Sequence, residues 1–157
     1  MSGAVLWQND PRWGKETLLD GPGRIGAYGC VLLSLVHAAR RWGDRPGLSP
    51  VRLNAMAREV GACDRDRLIV HEAAPLVGLE APLAERVEGT AEKPAPHEDI
   101  LRAIEKALAD PDGGALLRVA TDGGTKGRHT ILAVGWAPTP PKRVVAADSA
   151  PARQPAP

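Results

Sequence analysis

The sequence predicts an α+β fold in which N-terminal helices pack on a C-terminal antiparallel sheet. Apolar residues recur at helical spacing through the first part of the chain, whereas the last part has short Val-, Ile- and Leu-rich runs between turns. Helices followed by strands favour α+β over a doubly wound parallel sheet. The length of 157 residues and the apolar fraction of 43% suffice for one hydrophobic core, so we expect one domain.

Each predicted helix has an apolar face and a residue that ends it, such as Gly or Pro. The strongest begins at Cys30, and another begins where Ser49, a capping residue, precedes the proline favoured in a first helical turn. Residues 6–29, rich in Gly, Pro and Asp, are expected to form an extended loop. The predicted helices span residues 30–42, 50–60, 72–77 and 97–109.

Three strands are predicted near the C-terminal end because β-branched and apolar residues cluster there between turn residues. They span residues 115–120, 129–136 and 143–148. Residues 81–96 show no regular pattern. We assign residues 1–150 to the domain and the Pro- and Ala-rich residues 151–157 to a disordered tail or linker.

Charge and hydropathy narrow the classes of partner. The net charge is +1, and Lys and Arg are spread evenly, so neither nucleic acid nor anionic lipid is expected to bind. No apolar run approaches the roughly 20 residues that cross a bilayer, and residues 1–8 lack the pattern of a signal peptide. We therefore expect a cytoplasmic protein without a membrane span. A non-classical route of secretion stays open, and the sequence leaves the oligomeric state open too.

Cys30 is the candidate nucleophile. It follows Gly29 and begins the strongest predicted helix, where unpaired amides and the positive end of the helix dipole favour the reactive thiolate. Gly29 would also leave room for a substrate backbone. A buried structural cysteine is the alternative for Cys30, and we expect Cys63, among charged loop residues, to be structural. Without a Cys-x-x-Cys pair, we expect neither a metal nor another cofactor.

A thiolate catalyst needs a base and a group that orients the base. His129 opens a predicted strand at the rim of the sheet, whereas His37 lies about 10 Å along its helix from the cysteine, too far to reach the sulfur. If the last two strands form a hairpin centred between Pro138 and Thr139, His129 lies opposite Asp148. If the register shifted by one pair, or if one strand had a bulge, His129 and Asp148 would still be neighbours. A strand-end histidine beside an exposed carboxylate is the alternative.

Four short stretches carry a resemblance to a known family. A Gln-x-Asp-Pro-x-Trp stretch precedes a Gly-Cys helix start, and a histidine later opens an apolar strand that is followed by a strand ending in Asp. This order resembles the papain-like cysteine peptidases that process double-glycine bacteriocin leaders, and their bacterial relatives, over residues 6–150. The stretches are Trp7-Gln8-Asn9-Asp10-Pro11-Arg12-Trp13, Gly29-Cys30-Val31-Leu32, Gly127-Arg128-His129-Thr130-Ile131 and Val144-Val145-Ala146-Ala147-Asp148-Ser149.

The resemblance implies a papain-like fold and a role for each site residue. Cys30 would attack a carbonyl carbon, and His129 would take and return its proton. Asp148 would orient His129. Gln8 would bind the oxyanion together with the Cys30 amide, provided that the loop between them folds back. Arg128 departs from the glycine that the family often has before its histidine, which puts a cation near the catalytic edge.

Three functions share this set of residues. The first is a cysteine peptidase or amidase that cleaves a peptide or isopeptide bond in a peptide or protein substrate. The second is a peptidase-like fold that only binds a partner. The third is acyl transfer, as in a deamidase or transglutaminase-like effector, since a fold does not decide among such chemistries. No transporter segment follows, so a stand-alone enzyme rather than an exporter fusion is expected.

Overall fold

The computed structural model of the chain describes residues 6–81, 93, 96–121, 127–140 and 143–149. These residues form a mixed α+β fold with antiparallel sheets, as the sequence predicts at that level. Predictions for residues 82–92 and for the tail 151–157 lie outside the described residues. The elements in chain order are α1 Ile25–Tyr28, α2 Cys30–Arg41, α3 Pro50–Glu59, β1 Cys63–Asp64, β2 Arg67–Leu68, α4 Val70–Ala73 with the 3-10 helix Ala74–Val77, α5 His97–Ala109, β3 Ala115–Thr121, β4 Gly127–Trp136 and β5 Val144–Ala147.

The predicted helices are confirmed to within a few residues, and their ends show why. The Ser49 hydroxyl accepts a hydrogen bond from the Arg52 amide at the start of α3, which is the capping expected there. Gly78 ends the 3-10 helix at φ +73°, a left-handed conformation that favours glycine. Helix α2 buries an apolar face that includes Leu32, Leu33 and Val36.

Two short elements were missed by the sequence analysis. Helix α1 lies within the segment predicted as an extended loop, and the hairpin of β1 and β2 lies where Cys63 was placed in a loop. These elements are too short to show the periodicity on which such predictions rest. Contacts with the N-terminal loop hold them instead: the Ile25 amide at the start of α1 donates to the Glu16 carbonyl, and the Asp20 amide donates to the carbonyl of Arg65 in the hairpin turn.

The larger sheet has the order β3-β4-β5, with both pairs antiparallel. Trp136 pairs with Val144 near the turn, and Leu132 pairs with Ala147 at the other end of the hairpin. The register shifts between Ala133 and Gly135, so that Val134 is a bulged residue without a partner.

Helix α2 packs against β4, and α5 contacts both β3 and β4. The largest cluster of buried apolar side chains comes from the N-terminal loop and the helices between Leu6 and Val77. Ile104 of α5 and Leu132 and Ala133 of β4 are buried outside that cluster. None of the described helices is long and apolar enough to span a membrane.

Candidate active site

Cys30 is the first residue of α2 and is half-buried. No acidic residue lies in the first turn of this helix. A negative charge on the sulfur therefore meets the positive end of the helix dipole without a competing carboxylate in that turn. This position is the one predicted from the sequence.

The structure gives a different reason for the glycine at position 29 from the one expected from the sequence. Gly29 was expected to leave room for a substrate backbone. A Cβ on Gly29 would instead lie 2.6 Å from the Ile25 carbonyl oxygen and 2.9 Å from the Ile25 Cγ2 atom. Any side chain would collide with α1, so Gly29 is required by the close junction of α1 and α2.

His129 and Asp148 form a short, largely buried pair. The His129 Nε2 atom lies 2.7 Å from Asp148 Oδ1, and the two side chains are only 11% and 18% exposed. An ionised carboxylate only accepts hydrogen bonds, so Nε2 carries the proton and donates it. The Nδ1 atom of the neutral ring is then the free base.

The predicted pairing of His129 directly opposite Asp148 is wrong in register. Continuing the observed pairs places Asp148 opposite Ile131, two residues from His129 and on the same face of the sheet. Without the bulge at Val134, the pairs near the turn would place Asp148 opposite Leu132, on the other face. A one-residue shift moves a side chain to the opposite face of a sheet. The bulge therefore allows the carboxylate to reach the imidazole.

Helix α2 and strand β4 lie side by side and run in the same direction. The Ser34 hydroxyl donates to the Thr130 carbonyl over 3.3 Å. Further along, the ring of Trp42, the residue that follows α2, and the carbonyl of Ala133 in β4 both lie against Gly114. Two points of contact in the same order on both elements fix their relative direction.

This alignment brings the start of α2 level with His129. Cys30 precedes Ser34 by four residues, about 6 Å along the helix axis, and lies on the same helix face. His129 precedes Thr130 by one strand residue, about 3.4 Å. Within the described residues, Cys30 Sγ makes no hydrogen bond to the ring. Catalytic pairs are commonly looser before substrate binds.

The N-terminal loop folds back onto the same end of the sheet. The Gln8 amide donates to the Ser149 carbonyl over 3.0 Å, next to Asp148, and the Gln8 Nε2 atom donates to the Gly26 carbonyl over 3.1 Å. Gln8 is buried, with 5% of its surface exposed. The loop therefore makes the return that the oxyanion role of Gln8 requires.

Neighbouring residues brace this loop. Trp13 is buried, and its indole donates to the Trp7 carbonyl over 2.8 Å, so it ties the two ends of this stretch together. The Arg12 guanidinium binds the Asp10 carboxylate and holds the pKa of that group below its ordinary value. His37, which the sequence excluded as a base, accepts a hydrogen bond from the Leu6 amide at its Nε2 atom.

Cys63 is in a different setting from Cys30. Its thiol donates to Asp20 Oδ2 over 3.5 Å, and Asp20 is paired with Arg58. Desolvation raises the pKa of Cys63, and the neighbouring carboxylate adds to that rise. A thiol held in its protonated form is a poor nucleophile, which agrees with the structural role predicted for Cys63.

Sequence reasoning missed Ser34 and Ser149 as parts of the site. Ser34 could have been found, because it is the one polar residue in the apolar run after Cys30 and is four positions away on the same helix face. The bulge also had a signal, since an isolated glycine such as Gly135 inside a strand pattern often marks one. Ser149 had none, as its burial depends on the folded-back loop.

No group of three or more His, Cys, Asp or Glu side chains among the described residues is arranged to hold a metal ion. The chain matches no protein-family model, no curated protein and no solved structure.

Proposed function

We propose that this chain is a cysteine hydrolase of papain-like fold that cleaves a peptide or isopeptide bond through a thioester. The observation that carries the proposal is the 2.7 Å contact between His129, on β4, and Asp148, directly after β5, on the sheet against which α2 packs. A nucleophile at a helix start, a base and a group that orients the base are the parts that such a site needs.

In the proposed reaction, His129 takes the thiol proton of Cys30, the sulfur attacks the carbonyl carbon and a carbon–sulfur bond forms. The carbonyl oxygen becomes negative and is stabilised by N–H donors of Gln8 and of the Cys30 backbone. His129 gives a proton to the leaving amine as the carbon–nitrogen bond breaks. Water, deprotonated by His129, then attacks the thioester, which releases the acid and restores the thiol.

The orientation of Gln8 supports its proposed part in this reaction. The Gly26 carbonyl can only accept, so the Nε2 end of the carboxamide must face it. One N–H of that nitrogen is used there, and the second is available for a substrate oxygen. The Gln8 backbone amide donates a hydrogen bond to the carbonyl of Ser149, the residue after Asp148. Gln8 is therefore held at the same end of the sheet as the proposed base.

The proposal is tested by incubating the protein with a diverse peptide mixture and following products by mass spectrometry. A hydrolase yields new amino termini, together with a covalent acyl adduct on Cys30 in samples quenched with acid. Cys30→Ala abolishes both, whereas Cys63→Ser, the matched control, retains both.

Other outcomes separate the remaining functions. Release of ammonia without new termini, or a new crosslink between peptides, would replace hydrolysis with deamidation or acyl transfer. Peptides that bind equally well to the wild type and Cys30→Ala, without any adduct, would contradict an enzymatic role and favour a binding module.

A further inference from the structure

Two buried polar atoms beside the site make no hydrogen bond to the described residues. They are Gln8 Oε1 and Ser149 Oγ. The two residues are 5% and 2% exposed, and the Gln8 amide is bonded to the Ser149 carbonyl, so they are direct neighbours. Buried polar atoms are nearly always hydrogen bonded, so such a pair in one place points to a ligand.

The chemistry of the two atoms identifies that ligand. Gln8 Oε1 can only accept a hydrogen bond, because Nε2 is fixed towards the Gly26 carbonyl. Ser149 Oγ can both donate and accept. A water molecule that donates to Gln8 Oε1 and shares its remaining bonds with the Ser149 hydroxyl satisfies both atoms.

We infer that Gln8 and Ser149 bind one buried water and that Ser149, through this water, is a positioning residue for the Gln8 carboxamide. This inference rests on the proposed function, since Gln8 matters for rate only if Cys30 attacks a carbonyl. The water and the Gly26 carbonyl hold the two ends of the carboxamide. The second N–H of Gln8 Nε2 therefore has a fixed position from which it can donate to the oxyanion.

Two reactions of Cys30 separate this role from a merely structural one. With p-nitrophenyl acetate, the sulfur attacks the ester carbonyl, a carbon–sulfur bond forms and p-nitrophenolate leaves, so a negative oxygen develops in the transition state. With iodoacetamide, the sulfur displaces iodide at a saturated carbon and no oxyanion forms. A defect in positioning Gln8 slows only the first reaction.

The experiment uses the full chain with Cys63→Ser, so that Cys30 is the only thiol. Gln8→Ala is expected to slow acylation by about a hundredfold, as loss of an oxyanion donor does. Ser149→Ala is expected to slow acylation by about tenfold, while alkylation by iodoacetamide stays within about twofold in both variants. The double variant is expected to match Gln8→Ala, because Ser149 acts through Gln8.

Acylation of Ser149→Ala at the parental rate would overturn the inference, as would effects that multiply in the double variant. Equal slowing of acylation and alkylation would assign Ser149 a structural role instead. A parent whose Cys30 is neither acylated nor alkylated faster than a free cysteine contradicts the proposed function itself. The water is tested separately by crystallography, where the absence of density within hydrogen-bonding distance of both atoms would remove it.

Discussion

The roles of His129 and Asp148 follow from which atoms can donate. The 2.7 Å contact is between Nε2 and a carboxylate oxygen, so an ionised Asp148 selects the tautomer with the proton on Nε2. In the proposed reaction, that tautomer leaves Nδ1 to accept the proton of the thiol. The carboxylate would then stabilise the imidazolium that forms when the proton arrives.

We expect Asp148→Asn to lower kcat strongly while leaving the fold unchanged. The amide of Asn can donate to Nε2, which favours the tautomer with its proton on Nδ1 and removes the base. The loss should be about a hundredfold smaller than that of Cys30→Ala, because the nucleophile is still present. The measurement is kcat on a cleaved peptide, with circular dichroism as the control for folding. A kcat equal to that of the wild type would show that Asp148 does not orient the base.

His37, which lies outside the candidate site, makes the free energy of unfolding depend on pH. Its Nε2 atom can accept the Leu6 amide only when it is unprotonated. Burial lowers the pKa of His37 from its ordinary value of 6.5, and the charge of Arg40 lowers it further. At a pH below 6.5 the unfolded chain therefore takes up a proton that the folded chain resists.

The free energy of unfolding is thus expected to fall as the pH drops from neutrality through 6.5 towards the folded pKa of His37. The contribution of His37 cannot exceed about 1.4 kcal/mol per pH unit. His37→Gln keeps an acceptor but cannot be protonated, so its unfolding free energy should depend less steeply on pH. Urea denaturation at a series of pH values measures this slope. An unchanged slope in His37→Gln would assign the pH dependence to other groups.

At the scale of elements, a single bulged residue decides on which face the orienting carboxylate lies. The pairs near the turn and the pairs beyond Ala133 differ by one position in register, and Val134 accounts for the difference. Because side chains alternate along a strand, that one position moves Asp148 onto the face of His129.

Deleting Ala146 is expected to move Asp148 one position along the ladder, opposite Leu132, and so turn its side chain away from His129. Activity should then fall to the level of Asp148→Ala, and combining the two changes should cause no further loss. Deletion of Thr139, an exposed residue of the hairpin loop, is the matched control, because it shortens the chain without changing the register of the strands. Full activity after the Ala146 deletion would contradict this explanation of the pairing.

The elements show what the sequence can and cannot predict. Helix α5 was predicted at its observed bounds because its apolar stripe repeats over several turns. The register of the last hairpin was wrong by two positions, since the loop centre and the bulge are set by packing rather than by local pattern. The positions of Cys30 at a helix start and of His129 and Asp148 near strand ends were predicted because such boundaries can be read from the sequence. The water site beside Ser149 depends on the folded-back loop and could not be predicted from the sequence.

At the scale of the molecule, the candidate site lies where two parts of the fold meet. Cys30 and Gln8 belong to the helical part with the largest buried core, whereas His129 and Asp148 belong to the sheet. The hydrogen bond between Ser34 and the Thr130 carbonyl joins the two parts at this level. The geometry of the site therefore depends on how α2 docks on β4, more than on either part alone.

The rate of Cys30 alkylation tests most directly whether the sulfur of Cys30, in the helical part, is paired with the ring of His129, in the sheet. Iodoacetamide labelling, followed by mass spectrometry at each cysteine, compares the wild type with His129→Ala at neutral and mildly acidic pH. We expect wild-type Cys30 to react at least about tenfold faster than Cys63, and His129→Ala to lower the rate of Cys30 to that of Cys63. A Cys30 rate that is unaffected by the loss of the imidazole would contradict the pairing of the sulfur with His129 and the hydrolase proposed from it.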